Sequence, residues 1–213
     1  MISHQDLHDL MRTRRSVRRF RPDVPTRGVI ESVLASAVTA PSASNKQPWR
    51  FLIVESRDVV GRMAAAVREA VHRVAIAVEP QFEGTFRAYG DYFTRFECAP
   101  LVIVPLFQPL TLLTTLTGPR LGEEDRRLVD AMERDSGLIG TSLAMQNLLL
   151  AAHAAGLGAS GMTGPLVAAD ALREILRIPQ SWHIAALVPI GYPDEEPTPT
   201  ARKTVDHVTR WIR

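Results

Sequence analysis

The chain has 213 residues, 46% of them hydrophobic and 23% charged, with a formal net charge of +2. That composition suits a globular protein with one substantial core, and the near balance of charge argues against the broad basic surface of a nucleic-acid binder. Cys98 is the only cysteine, so no intrachain disulfide can form, which fits a reducing cytoplasm; the opening MISHQDLHDL has no apolar signal-peptide core.

In chain order, Ser3 with Asp6 makes a capping box for a helix to about Thr13, with Leu7, Leu10 and Met11 on one face. RRSVRRF follows at 14–20, and Pro22 and Pro25 after it predict an extended segment. Alternate residues of an extended chain share a face, so Arg14, Ser16 and Arg18 stand together. Two guanidiniums and a hydroxyl on one face suit phosphate, which arginine binds bidentately. A helix dipole would account for basic residues at 12, 14 and 15, but not for the alternation through Arg18. Thr26 caps a second helix with Val29, Ile30, Val33, Leu34, Ala37 and Val38 as its apolar stripe.

The connection that follows, APSASNKQPWRF over 40–51, is chemically rich for a helix-to-strand link. Pro41 and Pro48 stiffen it; Ser42, Ser44, Asn45 and Gln47 offer small polar groups. Such a loop suits the edge of a planar heterocycle, and equally a helix cap plus a turn. Trp49 is expected to be buried beside it. A strand is read through Arg50–Glu55, then a helix from Ser56 to about Val78, broken at Pro80. An aromatic helix with Phe86, Tyr89, Tyr92, Phe93 and Phe96 reaches Cys98, expected to be a small core residue. These aromatics suit core packing or the wall of a substrate channel.

Leu101–Phe107 reads as a buried strand, and residues 108–122 as a long irregular loop of the kind that forms lids or partner contacts. Glu123–Ala155 is a long helix whose later part is nearly uncharged. Gln146, Asn147 and His153 interrupt it, so it reads as a buried helix and not a membrane span. A short strand or loop at 159–163 ends at Gly164–Pro165. A short helix from about Asp170 to Arg177, a strand over 184–190 and the stop at Gly191-Tyr192-Pro193 complete the core. The tail from Asp194 has little core of its own. The order implies an α+β fold, a mixed and mostly antiparallel sheet flanked by helices. A helix this apolar is hard to cover within one short chain, which points to a homodimer.

RRSVRRF, APSASNKQPWRF, GLGASGMTGP, LVPIGYP and a final Arg-Lys pair occur in that order. As a set they resemble the nitroreductase family of FMN-dependent oxidoreductases, over roughly residues 7–205. The resemblance implies one domain spanning 1–213, with a core of about 7–193 and a tail, 194–213, that packs on the partner of an intertwined homodimer. It also implies FMN in clefts at the subunit interface, NAD(P)H as electron donor, and ping-pong reduction of nitroaromatics, quinones or related acceptors. The MTGP ending points toward the nitrobenzoate-reductase branch.

By the same resemblance, Arg14, Arg15, Ser16 and Arg18 hold the FMN phosphate and ribityl chain and reach the flavin N1–C2 edge. Pro41, Ser42, Ala43, Ser44 and Asn45 border the isoalloxazine, partly from the other subunit. Met162, Thr163 and Gly164 bring backbone groups near flavin N5, where a side chain at 164 is expected to crowd the flavin. Arg202 and Lys203 contact phosphate. Arg18 suits the negative charge that reduction places along N1–C2=O. No metal site is expected: His4 and His8, at helical spacing, read as a solvated face. The alternatives are a dehalogenase or flavin-fragmenting enzyme of the same fold, a low-turnover redox sensor, and a binder without flavin.

Overall fold

The computed structural model describes residues 2–212; Met1 and Arg213, the two ends of the expected single domain, lie outside the described residues. The helices are α1 (His4–Thr13), α2 (Arg27–Ala37), α3 (Arg57–Ile76), α4 (Glu83–Gly90), α5 (Leu112–Thr117), α6 (Glu123–Ala154), α7 (Ala169–Ile175) and α8 (Val205–Val208). The strands are β1 (Trp49–Val54), β2 (Leu101–Phe107), β3 (Gly158–Ala159), β4 (His183–Ile184) and β5 (Val188–Gly191).

β2 is the axis of the sheet, and all seven of its residues are buried. β1 pairs with it antiparallel, from Trp49 opposite Phe107 to Val54 opposite Val102. β5 and β4 pair with its other edge, and β3 pairs with β5, also antiparallel. The parallel component is a single bridge between Ser16 and Ala159. The strand expected over 184–190 is two short strands. Leu187 turns aside to exchange both main-chain hydrogen bonds with Met162 (2.8 and 2.9 Å), which breaks the run between β4 and β5.

The alternation of β2 sorts the core into two layers. Val102, Val104 and Leu106 face α3 (Val60, Met63, Ala64, Val67) and Leu172 of α7. Leu101 and Ile103 face Ile30 and Val33 of α2 and Leu148 and Ala152 of α6. Each fully buried aliphatic side chain stabilises the fold by about 1.5–3 kcal/mol, so the sheet is held from both sides. The resulting architecture is the expected α+β fold.

Local departures from expectation have local causes. The capping box of α1 forms, with Asp6 N–H donating to Ser3 Oγ at 3.1 Å, but no residue of α1 is buried. Thr26 stands at the N-cap of α2 without a side-chain hydrogen bond, so the apolar stripe sets that helix. The aromatic helix is α4 followed by a 3-10 stretch over Asp91–Cys98. Cys98 is exposed, not a core residue, because Phe96 fills that part of the core, with no exposed surface. Trp49 is buried as expected.

The stretch read as an irregular loop contains α5. The carboxylate of Glu133, buried on α6, accepts the Leu113 N–H (2.6 Å) and the Thr114 hydroxyl (2.6 Å). It caps the start of α5 from a distance, so the helix leaves no capping signature in its own sequence. α6 spans 32 residues and is about 48 Å long. Its own chain crosses it at two glycines: a Cβ at Gly137 would sit 2.3 Å from the Gln108 carbonyl oxygen, and one at Gly140 would sit 3.2 Å from Pro48. The opposite side carries a second apolar set, Leu128, Met132, Ile139 and Leu143, all exposed. Among the described residues no helix is long and apolar enough to cross a membrane.

The two kinds of helical glycine separate experimentally. Gly137→Ala, forced against backbone, should cost about 1–3 kcal/mol. Gly61→Ala in α3, where a Cβ meets nothing within 4 Å, should gain about 0.8–1 kcal/mol. Urea denaturation of both variants checks the pair, and equal destabilisation would show that the α6 crossing is looser than described.

Candidate flavin site

Val17 organises the first motif. It is buried, donates its N–H to the Ala159 carbonyl at 3.2 Å, and fills the space over Gly158, where a Cβ would lie 2.6 Å from it. With Val17 turned inward, Ser16 and Arg18 turn the other way. Arg14, Arg15, Ser16 and Arg18 then line one cleft of about 270 Å³ with Pro197, Thr198, Thr200 and Arg202. Segments far apart in sequence, 14–18 and 197–202, thus meet at one cationic site.

The arginines there are not equivalent. Arg15 spends its guanidinium on the Arg12 and Arg14 carbonyls (2.6 and 2.9 Å), closing the C-terminus of α1. Arg202 donates to the Thr200 hydroxyl at 2.6 Å. Among the described residues no carboxylate pairs with Arg14, Arg15, Arg18 or Arg202. Burial, then the neighbouring charges of Arg202 and Arg15, lower the affinity of Arg14 for its proton. A half-buried cation cluster without a counter-charge calls for an anion. Lys203 is exposed and does not line the cleft.

Met162, Thr163 and Gly164 form a separate group. Met162 is buried and pinned to Leu187, while Thr163 is exposed. Among the described residues, the main-chain N–H groups of Thr163 and Gly164 make no hydrogen bond to a protein acceptor. The space beside Gly164 is filled by Phe93, whose ring a Cβ would meet at 2.4 Å. A side chain at 164 therefore collides first with Phe93; crowding of a flavin, the reason expected from the sequence, is not the immediate one. Tyr92, next along, lies against Arg18, whose guanidinium carbon is 5.6 Å from the ring centroid; Arg95 lies over the same ring at 5.4 Å. The 3-10 stretch thus bridges the clamp and the Thr163–Gly164 backbone. It is tied to α3 by Arg57, which donates to the Ala99 and Glu97 carbonyls (2.7 Å each), and by Arg68 on Glu97. The aromatics divide: Phe96 is core, Phe93 packs on Gly164, and Tyr89 and Tyr92 are exposed.

The loop with Pro41, Ser42, Ala43, Ser44 and Asn45 does not line the clamp's cleft. It rests on α6 at Gly140, beside a second cleft of about 380 Å³ lined by Lys46, Pro48 and residues 108–112. Ser44, Asn45 and Gln47 all have positive φ (51°, 50° and 48°), which non-glycine residues rarely adopt. The Ser42 hydroxyl holds the turn by accepting the Gln47 N–H at 2.9 Å. Strain of this kind clusters at functional sites. Among the described residues no group of three or more His, Cys, Asp or Glu could hold a metal ion; His4 and His8 are exposed, their rings stacked with centroids 6.3 Å apart.

Sequence reasoning missed Glu195 and His153. Glu195 accepts hydrogen bonds from the Arg18 and Arg19 main chain, yet in sequence it is one carboxylate of an acidic run. His153, near the end of α6, lies 3.1 Å from the Thr13 hydroxyl. Nothing in its spacing marks it.

An α+β sheet flanked by helices thus carries a cation cleft to which the tail contributes Pro197, Thr198, Thr200 and Arg202. The model of the nitroreductase family matches residues 11–192, and the chain belongs to that family. It is 32% identical to an NADH dehydrogenase of Thermus thermophilus, over 93% of this chain and 92% of the relative. Its fold is similar to a BluB-like flavoprotein of Clostridium difficile 630 (TM-score 0.83, 21% identity, covering 97% of this chain and 99% of the other). It is also similar to an iodotyrosine deiodinase bound to FMN and 3-iodo-L-tyrosine (TM-score 0.73, 25% identity, 97% and 99% covered).

Two outcomes follow from this geometry. Gly164→Val should lose activity together with about 1–3 kcal/mol of stability, and Phe93→Ala in the same chain should recover part of the stability. Equal losses with and without Phe93 would discard the collision. His153 has its pKa lowered from 6.5 by burial first and by Arg14 and Arg15 next. The unfolded chain therefore binds the proton more readily, and this contribution to stability, present above pH 6.5, is lost as pH falls toward the lower folded value. His183 shifts the same way, through burial, Arg173 and Arg134. His153→Gln should flatten part of the stability loss below pH 6.5 in the flavin-free protein; an unchanged pH profile would show that His153 is not perturbed.

Proposed function

We propose that the protein is a cytoplasmic, homodimeric FMN enzyme that oxidises NAD(P)H and reduces nitroaromatic, quinone or related aromatic acceptors. One observation carries this: Arg14, Ser16, Arg18 and Arg202, from opposite ends of the chain, converge on a phosphate-sized cleft that lacks a carboxylate. Bound FMN would supply the hydride and electron transfer itself. Arg14 and Arg202 would hold its phosphate, with Arg15 and Lys203 adding positive potential. Arg18 would lie along the N1–C2 edge and offset the charge that develops there. The free N–H groups at Thr163 and Gly164 would face N5, held in place by the Met162–Leu187 pair.

Pro41 to Asn45 would complete the site from the partner subunit, which suits their distance from the clamp within one chain. The exposed stripe Leu128, Met132, Ile139 and Leu143 on α6 suits the shared surface of such a dimer. The tail supports the same arrangement, with Val205, Val208, Trp211 and Ile212 largely exposed on one chain and suited to a partner surface. Reductive dehalogenation is the second reading, favoured by the likeness to iodotyrosine deiodinase.

Purified protein should be yellow and bleach with NADH or NADPH. Arg14→Ala and Arg18→Ala each remove a charge-assisted contact worth about 1.5–3 kcal/mol, weakening FMN binding roughly 10- to 150-fold. Double-reciprocal plots against donor and nitroaromatic should be parallel, since both would use one site in turn. Sedimentation should show a dimer at low micromolar concentration. Unchanged FMN affinity in both arginine variants would overturn the clamp, and a monomer that holds flavin would overturn the shared site. Release of iodide from iodotyrosine with little nitro reduction would select the second reading.

A further inference from the structure

The clamp is joined to the tail by a short antiparallel ladder. Arg21 N–H donates to the Tyr192 carbonyl (2.9 Å), Phe20 bridges Pro193, and Asp194 N–H donates to the Arg19 carbonyl (3.0 Å). The next rung is made by a side chain. One carboxylate oxygen of Glu195 accepts the N–H of Arg18 at 2.5 Å and the N–H of Arg19 at 2.9 Å, and the other lies 3.7 Å from the Arg19 guanidinium.

Successive N–H groups of a regular strand point to opposite sides. For one oxygen to serve both, the chain must turn between Arg18 and Arg19, making a small anion-binding concavity of the kind formed by consecutive amides. Glu195 fills that concavity. Its side chain is 23% exposed and makes no ion pair with the Arg18 guanidinium, which is left to the cleft. Glu195 also borders the cleft that Arg18 shares with Tyr92 and Arg95, and Pro197, two residues on, lines both that cleft and the clamp.

We propose that Glu195 is a positioning residue of the flavin site. By taking both N–H groups on one oxygen it sets the turn that aims the Arg18 guanidinium, and it anchors the start of the tail that brings Arg202 to the clamp. It does not itself touch the cofactor. The inference rests on the FMN reading above.

The discriminating pair is Glu195→Gln and Glu195→Asp in the full chain. Gln keeps the reach and one acceptor oxygen but loses the charge; Asp keeps the charge but is one methylene short. Three quantities are read: FMN affinity by fluorescence titration, the ratio of affinities for oxidised and reduced FMN from the bound potential, and amide exchange at Arg18 and Arg19 in the flavin-free protein. Glu195→Gln should stay within about threefold of the native FMN affinity, while Glu195→Asp should fall by about tenfold. Glu195→Asp should also exchange the two amides faster and shift the oxidised-to-reduced ratio, since Arg18 is no longer aimed. A purely structural tie would lower the melting temperature and leave that ratio unmoved, which overturns the proposal. So does the reverse order, Asp native-like and Gln weak, because charge and not the shared oxygen would then matter. If the native chain itself binds no FMN, both the flavin reading and this inference fall; native binding with an unaffected Asp variant removes this inference alone.

Discussion

The site depends on one packing constraint: Val17 occupies the space that Gly158 leaves open. Any side chain at 158 would overlap it, since even a Cβ would approach to 2.6 Å. With Val17 buried and bonded to Ala159, the alternation of an extended chain dictates where Ser16 and Arg18 go. Gly158 and Ala159 are themselves β3, paired to β5, which is paired to β2. The orientation of the clamp is therefore inherited from the doubly buried strand at the middle of the sheet. Polar residues that must meet a charged ligand are best set on such rigid elements, and these stand one bridge away from the sheet.

The alternation in RRSVRRF was legible because it depends only on local backbone geometry and on an apolar residue at its centre. The core stripe of α2, the extent of α3 and the buried run of β2 were legible for the same reason. Most of what stayed hidden was set by partners distant in sequence. α5 is capped by Glu133 from another helix, so its own residues carry no start signal. The break between β4 and β5 is made by Met162, whose pairing with Leu187 competes with continuation of the strand. Cys98 looked like a core residue by type, and Phe96, two positions earlier, took that place. At the site, Arg14, Ser16 and Arg18 could be named from spacing, but their meeting with Arg202 could only follow from a family resemblance. Glu195 had no signal, because an acidic run in a tail looks like solvated surface until its hydrogen bonds are seen.

Two kinds of attachment divide the molecule. Val17 and Met162, with Gly164 beside them, are fixed through the sheet by main-chain bonds and buried packing. Two further segments are held by fewer main-chain ties to the sheet. The 3-10 stretch with Tyr92 and Phe93 is held by Phe96 in the core and by Arg57 and Arg68. The 108–117 segment is held largely by Glu133 and by its crossing at Gly137. Regions with few buried contacts open at lower free energy than the core.

The charge distribution links the clamp to the tail. Arg14, Arg15 and Arg202 are like charges at one cleft, and burial first, then Arg14 and Arg15, lowers the proton affinity of His153. The ladder from Tyr192 to Glu195 ties the same segment from its other side. A dianionic phosphate in the cleft would reverse the sign of the interaction, turning three like charges into three partners of one ligand. The free energy of binding would then be expressed partly as order in residues 197–203, since anything that binds only the closed arrangement stabilises it. Residues 14–18 and 197–202 meet at one cleft, so under the proposed reading the order of the tail and the affinity for a phosphate would be two measures of one electrostatic balance.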